Sequence, residues 1–156
     1  MRKSFIPVFV IIFSFTVGLS NNASAELTPN TSFLLEGSGF LVSEKIVDRS
    51  QLDISISTKS KISANIGLTA NEGIISIEGN AFDVAGISGN ILRDGRFVRI
   101  SGTGENPTGD KIGVKLFGRL IEDSSAGSVY SFTGRITQDS ESIKVIYTSK
   151  ISKLTS

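Results

Sequence analysis

The sequence predicts an all-β fold: an antiparallel up-and-down meander of about eight or nine strands that closes into a small β-barrel, with a two-sheet β-sandwich as the alternative. Three observations carry this. From Phe33 onward, apolar residues recur at every second position; the connections are short and rich in turn-forming residues; and glycines stand inside the runs themselves.

The alternation places strands at 33–43, 51–57, 61–69, 73–80, 82–92, 96–104, 111–122, 127–137 and 142–150. Leu52, Ile54 and Ile56 alternate with Asp53, Ser55 and Ser57, and Ile112, Val114 and Leu116 with Gly113 and Lys115. Successive side chains of a strand point to opposite faces, so each run buries one face and wets the other. Asp94-Gly95, set between two apolar runs, is a strong hairpin signal, because a type I′ turn needs φ > 0 at both central residues. Asn71-Glu72-Gly73 and Ser124 to Gly127 suit hairpins with longer loops, and the link 44–50 has room for one helical turn. Links this short join antiparallel neighbours, since parallel pairs need a crossover of about a dozen residues or more.

Two stretches read alike. Gly89 to Asp94 is followed by Gly95 to Gly102, and Gly118 to Asp123 by Gly127 to Gly134; each is a glycine, two apolar residues and an acid before a loop and a second strand. They read as successive hairpins. In-strand glycines such as Gly37, Gly39, Gly89, Gly118 and Gly134 permit bulges and tight coiling, which favours closure over a flat sheet. The apolar phase shifts at Ala85-Gly86, as a bulge requires.

The first residues point to export. Arg2 and Lys3 precede the apolar run Phe5 to Leu19, and Ala23-Ser24-Ala25 fits a signal-peptidase site. The run is shorter than the roughly 20 residues of a spanning helix. Residues 1–25 are therefore read as a cleavable signal peptide, 26–32 as a flexible leader and 33–156 as one all-β domain with no transmembrane segment after cleavage. The expected location is outside the cytoplasm: secreted, periplasmic or cell-surface. Removing the signal takes two of the 16 basic residues and none of the 15 acids, which leaves a net charge of −1. Global charge thus gives no drive toward nucleic acid.

The chain has no Cys, no His and no Trp. That excludes disulfides, thiolate nucleophiles, imidazole bases and the usual zinc, copper and haem ligands. No cofactor and no metal are expected. The acids Glu122-Asp123 and Asp139/Glu141 fall at predicted turns, where carboxylates are solvated; a hydrolase using a carboxylate pair is the second alternative for function. The glycine-rich stretch Gly102 to Lys111 matches no phosphate-loop spacing and joins two strands. Glu105, Asn106 and Asp110 offer oxygens to calcium but lack the ligand spacing of a calcium loop.

In architecture alone the chain resembles the lipocalin and avidin barrels, with Gly37-Ser38-Gly39-Phe40 where those families carry a tryptophan after glycine. That resemblance implies a carrier of a small apolar ligand inside the barrel, which is the first alternative; no binding residue carries over. An outer-membrane barrel would need an apolar outer face with aromatic girdles, and here the outer positions are Ser, Thr, Lys, Arg and Asn.

One cluster stands out. With Ile112, Val114 and Leu116 inward, Lys111, Lys115 and Arg119 point outward, and the same phase on the adjoining strands exposes Arg99 and Arg135. Phe97 and Phe117 share that outward phase. The expectation is a non-catalytic exported module that binds at the cell envelope through this basic outer face, with an anionic polysaccharide or an envelope protein as partner and no role for nucleic acid.

Overall fold

The computed structural model describes residues 26–44, 47–84 and 86–154. The signal peptide expected at 1–25 lies outside the described residues. Among the described residues the chain forms nine antiparallel strands: β1 Ser32–Val42, β2 Val47–Ile62, β3 Asn65–Ile77, β4 Asn80–Asp83, β5 Ser88–Leu92, β6 Phe97–Glu105, β7 Lys111–Ser124, β8 Gly127–Gln138 and β9 Glu141–Lys153. All belong to one sheet. Neighbours in sequence pair from β5 to β9, and β1 pairs with both β2 and β9. β3 pairs with β5 through Ile66–Thr69 and with β4 through Ile74–Ile77, so these two short strands lie end to end between β3 and β6. The sheet therefore returns on itself as a near-closed ring of eight strands, and the two-sheet alternative does not arise.

The inward register is the predicted one. Leu52, Ile54 and Ile56 on β2, Val98 and Ile100 on β6, Ile112, Val114 and Leu116 on β7 and Val145, Tyr147 and Ile151 on β9 are all buried in a single cluster. Large side chains occupy the middle: Tyr130, Tyr147, Phe33, Phe82 and Phe132. Burial raises the pKa of both tyrosines, with the charge of Asp123 adding to the effect at Tyr130, so both phenols keep their protons and serve as donors. The Tyr130 hydroxyl donates to the carbonyl of Gly95 at 2.5 Å. Ser50 gives its single proton to the carbonyl of Ser76 at 2.7 Å and so accepts from the Tyr147 hydroxyl, also at 2.7 Å. Ser149 is buried with its hydroxyl unpartnered, beside Gly37.

The two similar strings are the β5–β6 and β7–β8 hairpins, with Gly89 opposite Ile100 and Gly118 opposite Phe132. At Gly118 the close approach is required, because a Cβ there would stand 2.5 Å from the Phe132 ring. The Asp94-Gly95 turn is as expected: φ is 53° and 89°, and the Arg96 amide donates back to the Arg93 carbonyl at 3.3 Å. A Lys61–Asp94 ion pair at 2.8 Å ties this turn to the end of β2.

Several local expectations are corrected. The break at 58–60 does not occur. Thr58 keeps the inward phase of β2, and its hydroxyl donates to the Thr28 carbonyl at 2.7 Å while accepting from the Thr31 amide at 2.9 Å. The chain turns instead at Ser63-Ala64. Asn71 is a bulge within β3 rather than a loop, unpaired between Ala70 and Glu72, and its amide group donates to the Ser57 hydroxyl at 2.8 Å. The expected strand 82–92 is two strands separated around Val84–Ile87, and the reversal before it falls at Glu78-Gly79, whose φ values of 51° and 84° suit a type I′ turn. Finally, the link 44–50 holds no helical turn among its described residues, because β2 begins at Val47 and pairs back onto Val42. The leader at 26–32 is also tied to the domain: Leu27 is buried in the core and Ser32 opens β1.

Candidate outer binding face

β6, β7 and β8 present the candidate residues on the outer wall. Arg99, Lys111, Lys115, Arg119 and Arg135 are all exposed, as the alternation demands. Register brings four of them together. Arg99 lies opposite Phe117, Lys115 opposite Arg135, and Phe97 opposite Arg119. Lys115 and Arg119 lie two residues either side of Phe117 on β7, so three cations frame one phenyl ring. Phe97 and Phe117 stack with centroids 5.5 Å apart and planes 22° from parallel, and the Arg93 guanidinium sits 5.6 Å from the Phe97 centroid. This packing holds the ring pair against the wall while leaving Phe117 41% exposed.

An open trough of about 600 Å³ runs over this surface, lined by Arg99, Lys115, Phe117, Thr133 and Arg135. A second depression, holding Arg119, Ser131 and Ile121, adjoins it at Phe117. Among the described residues no carboxylate comes within ion-pair distance of Arg99, Lys115, Arg119 or Arg135. Like charges on neighbouring strands repel, so their clustering is a cost to the fold that no ion pair among the described residues offsets.

Lys111 does not join the group. It lies opposite Glu105 and pairs with it at 3.6 Å, so its charge is answered on the next strand. Conversely, Lys144 belongs to the face and was not foreseen. The β8–β9 hairpin turns at Asp139-Ser140, which puts Lys144 opposite Arg135 and gives the lateral row Lys115–Arg135–Lys144 across three strands. The pairing of Gln138 with Glu141 already implies this register, so the turn was the signal that could have found it. Beside that row runs a second outward one, Phe117–Thr133–Ile146–Phe40, in which Ile146 and Phe40 are also exposed. Glu44 and Glu141 border the row at its β9 end, around Arg135 and Lys144.

Several of the acids and amides considered for other chemistries make local contacts. Asn106 Oδ1 accepts from the amides of Thr108 and Asp110 at 3.1 and 2.8 Å, and Asn106 Nδ2 donates to Asp110 Oδ2 at 2.8 Å. Hydrogen bonds from Asn106 and Thr108 hold the Asp110 carboxyl below its ordinary pKa; Asn106 and Asp110 engage one another, while Glu105 pairs with Lys111. Asp123 accepts from the Ser128 hydroxyl at 2.7 Å. One carboxyl pair was invisible in the sequence: Glu78 in the β3–β4 turn meets Asp48 on β2, and that contact raises the Glu78 pKa. Among the described residues no three His, Cys, Asp or Glu side chains group as a metal site would. Comparison of the chain with family models, with curated proteins and with solved structures finds no match.

Proposed function

We propose that this chain is a non-catalytic exported binding module that engages an anionic partner at the cell envelope through the outer face of β6–β9. The observation that carries the reading is the lateral row Lys115–Arg135–Lys144, bordered by acids only at its β9 end, beside the exposed Phe117. Cations on adjacent strands stand about 5 Å apart, a spacing that suits a partner bearing several anionic groups in succession. Phe117 adds apolar contact at the same place. The filled interior supports a surface site over an internal one, since its large inward side chains form one buried cluster. The lack of His and Cys supports binding over catalysis.

The test is retention on isolated envelope and on an anionic polysaccharide resin. Wild type is expected to be retained at low salt and released as salt rises toward physiological strength, where the Debye length is about 8 Å. Lys115→Glu with Arg135→Glu should abolish retention in a normally folded protein. Unchanged retention of that double variant defeats the proposal.

A further inference from the structure

The ring carries a second outward patch that complements the first. Glu36 on β1 lies opposite Asp53 on β2, Asp53 opposite Ile74 on β3, Ile74 opposite Asp83 on β4, and Asp83 opposite Glu105 on β6. Glu72 lies two residues before Ile74 on the same outer face. Ile74 is 44% exposed and framed by three carboxylates; Phe117 is 41% exposed and framed by three cations. A shallow depression unites Asp53, Glu72, Ile74 and Asp83, as the trough unites Arg99, Lys115 and Phe117. Lys150 lies opposite Glu36, so the frame around Ile74, rather than the whole acidic row, is the matching element.

The two patches stand on different walls. From β3 to β7 is three strands by the short way round the ring and five by the long way, so no copy can bring its own patches together. We propose that the anionic partner of the basic face is the acidic patch of a second copy of this chain. This deepens the function proposed above and rests on it. Contact would remove Phe117 and Ile74 from water together and set three cations against three carboxylates.

The frames also suggest an orientation. Lys115 and Arg119 are spaced along β7, about 13 Å apart, whereas Asp53 and Asp83 are spaced across strands, about 10 Å apart. A second copy whose β3 crosses β7 near a right angle lays one pair over the other, and the long basic side chains absorb the difference. Because the patches differ, the contact is head to tail and leaves one free patch at each end, which yields a closed ring of copies or an open chain. A net charge close to zero means that little overall repulsion opposes assembly.

Sedimentation of the mature chain over a concentration series tests this. At low salt the mean mass of wild type should rise with concentration, and added salt should reverse the rise. Lys115→Glu/Arg119→Glu leaves a copy with two acidic patches, and Asp53→Lys/Asp83→Lys leaves one with two basic patches. Each alone should associate at least about tenfold more weakly, since like charges then face each other. Mixed in equal amounts, the two should associate with each other. If either reversal disturbs folding, Lys115→Ala/Arg119→Ala replaces it, with loss of association expected. Wild type that stays monomeric at low salt, or folded variants that fail to recover on mixing, overturns the second-copy partner. Should copies stay monomeric while Lys115→Glu/Arg135→Glu still loses envelope retention, the binding face stands and its partner is another anion. Unchanged behaviour in both assays removes both proposals.

Discussion

Replacing Tyr130 by Phe deletes a single oxygen from a part-buried link between two hairpins. The Tyr130 hydroxyl, on β8, donates to the Gly95 carbonyl in the β5–β6 turn, two strands away round the ring. The ring of Tyr130 is buried and packs 5.9 Å from that of Phe132, so phenylalanine keeps the packing and loses only the hydrogen bond. A net hydrogen bond contributes about 0.5–1.5 kcal/mol, and a half-buried carbonyl left without its donor adds to the loss; about 1–2 kcal/mol is expected in total. For a domain of this size that lowers Tm by roughly 3–8 °C. Urea denaturation of wild type and Tyr130→Phe measures it, with the midpoint shifted and the slope unchanged. A second effect should accompany it, faster amide exchange at Arg93–Arg96 than elsewhere on the wall. An unchanged midpoint would mean that the turn does not depend on this link, and the reasoning would be wrong.

Other outcomes follow from the same geometry. Gly95 and Gly109 have φ of 89° and 90°, and Gly109 sits in a loop closed by Asn106, so valine at either position should cost a similar amount, about 1–2 kcal/mol, read as a shift in denaturation midpoint. Glu78 titrates above its ordinary value because Asp48 adjoins it, so its favourable contact is present in acid and is lost as pH rises through the raised pKa. Glu78→Gln should therefore stabilise the protein at neutral pH and confer no gain below the ordinary carboxyl range, as thermal melts at the two pH values would show. Mass spectrometry of exported protein should find the mature chain beginning at Glu26.

Faces were more legible in the sequence than pairings. A period of two assigns each side chain to the inside or outside without knowledge of its neighbours, which is why Arg99, Lys115, Arg119 and Arg135 fell correctly on the outer wall. Partners across strands depend on where each turn falls, and several turns were misplaced. Thr58 looked like a break because it is polar, yet it is an inward residue whose hydroxyl binds the backbone of 28–31. Glu78-Gly79 passed as strand although it makes the same φ demands as Asp94-Gly95. Lys111 kept its outward phase but met Glu105, a residue on the far side of a loop. The acidic frame around Ile74 was beyond reach altogether. It needs the register of β2, β3 and β4, and that register passes the bulge at Asn71 and the turn at Glu78.

The proposed function stands or falls with the outer face of β6–β9 as a binding surface. Chemical-shift mapping of the isotopically labelled mature chain, held at a concentration where sedimentation finds it monomeric and titrated with a soluble anionic polysaccharide at low salt, examines that surface residue by residue. Backbone amides of Arg99, Lys115, Phe117, Arg119, Arg135 and Lys144 should shift together, salt should reverse the shifts, and residues of β2–β4 around Ile74 should stay still. Shifts centred anywhere else on the ring, or none across the titration, would contradict it.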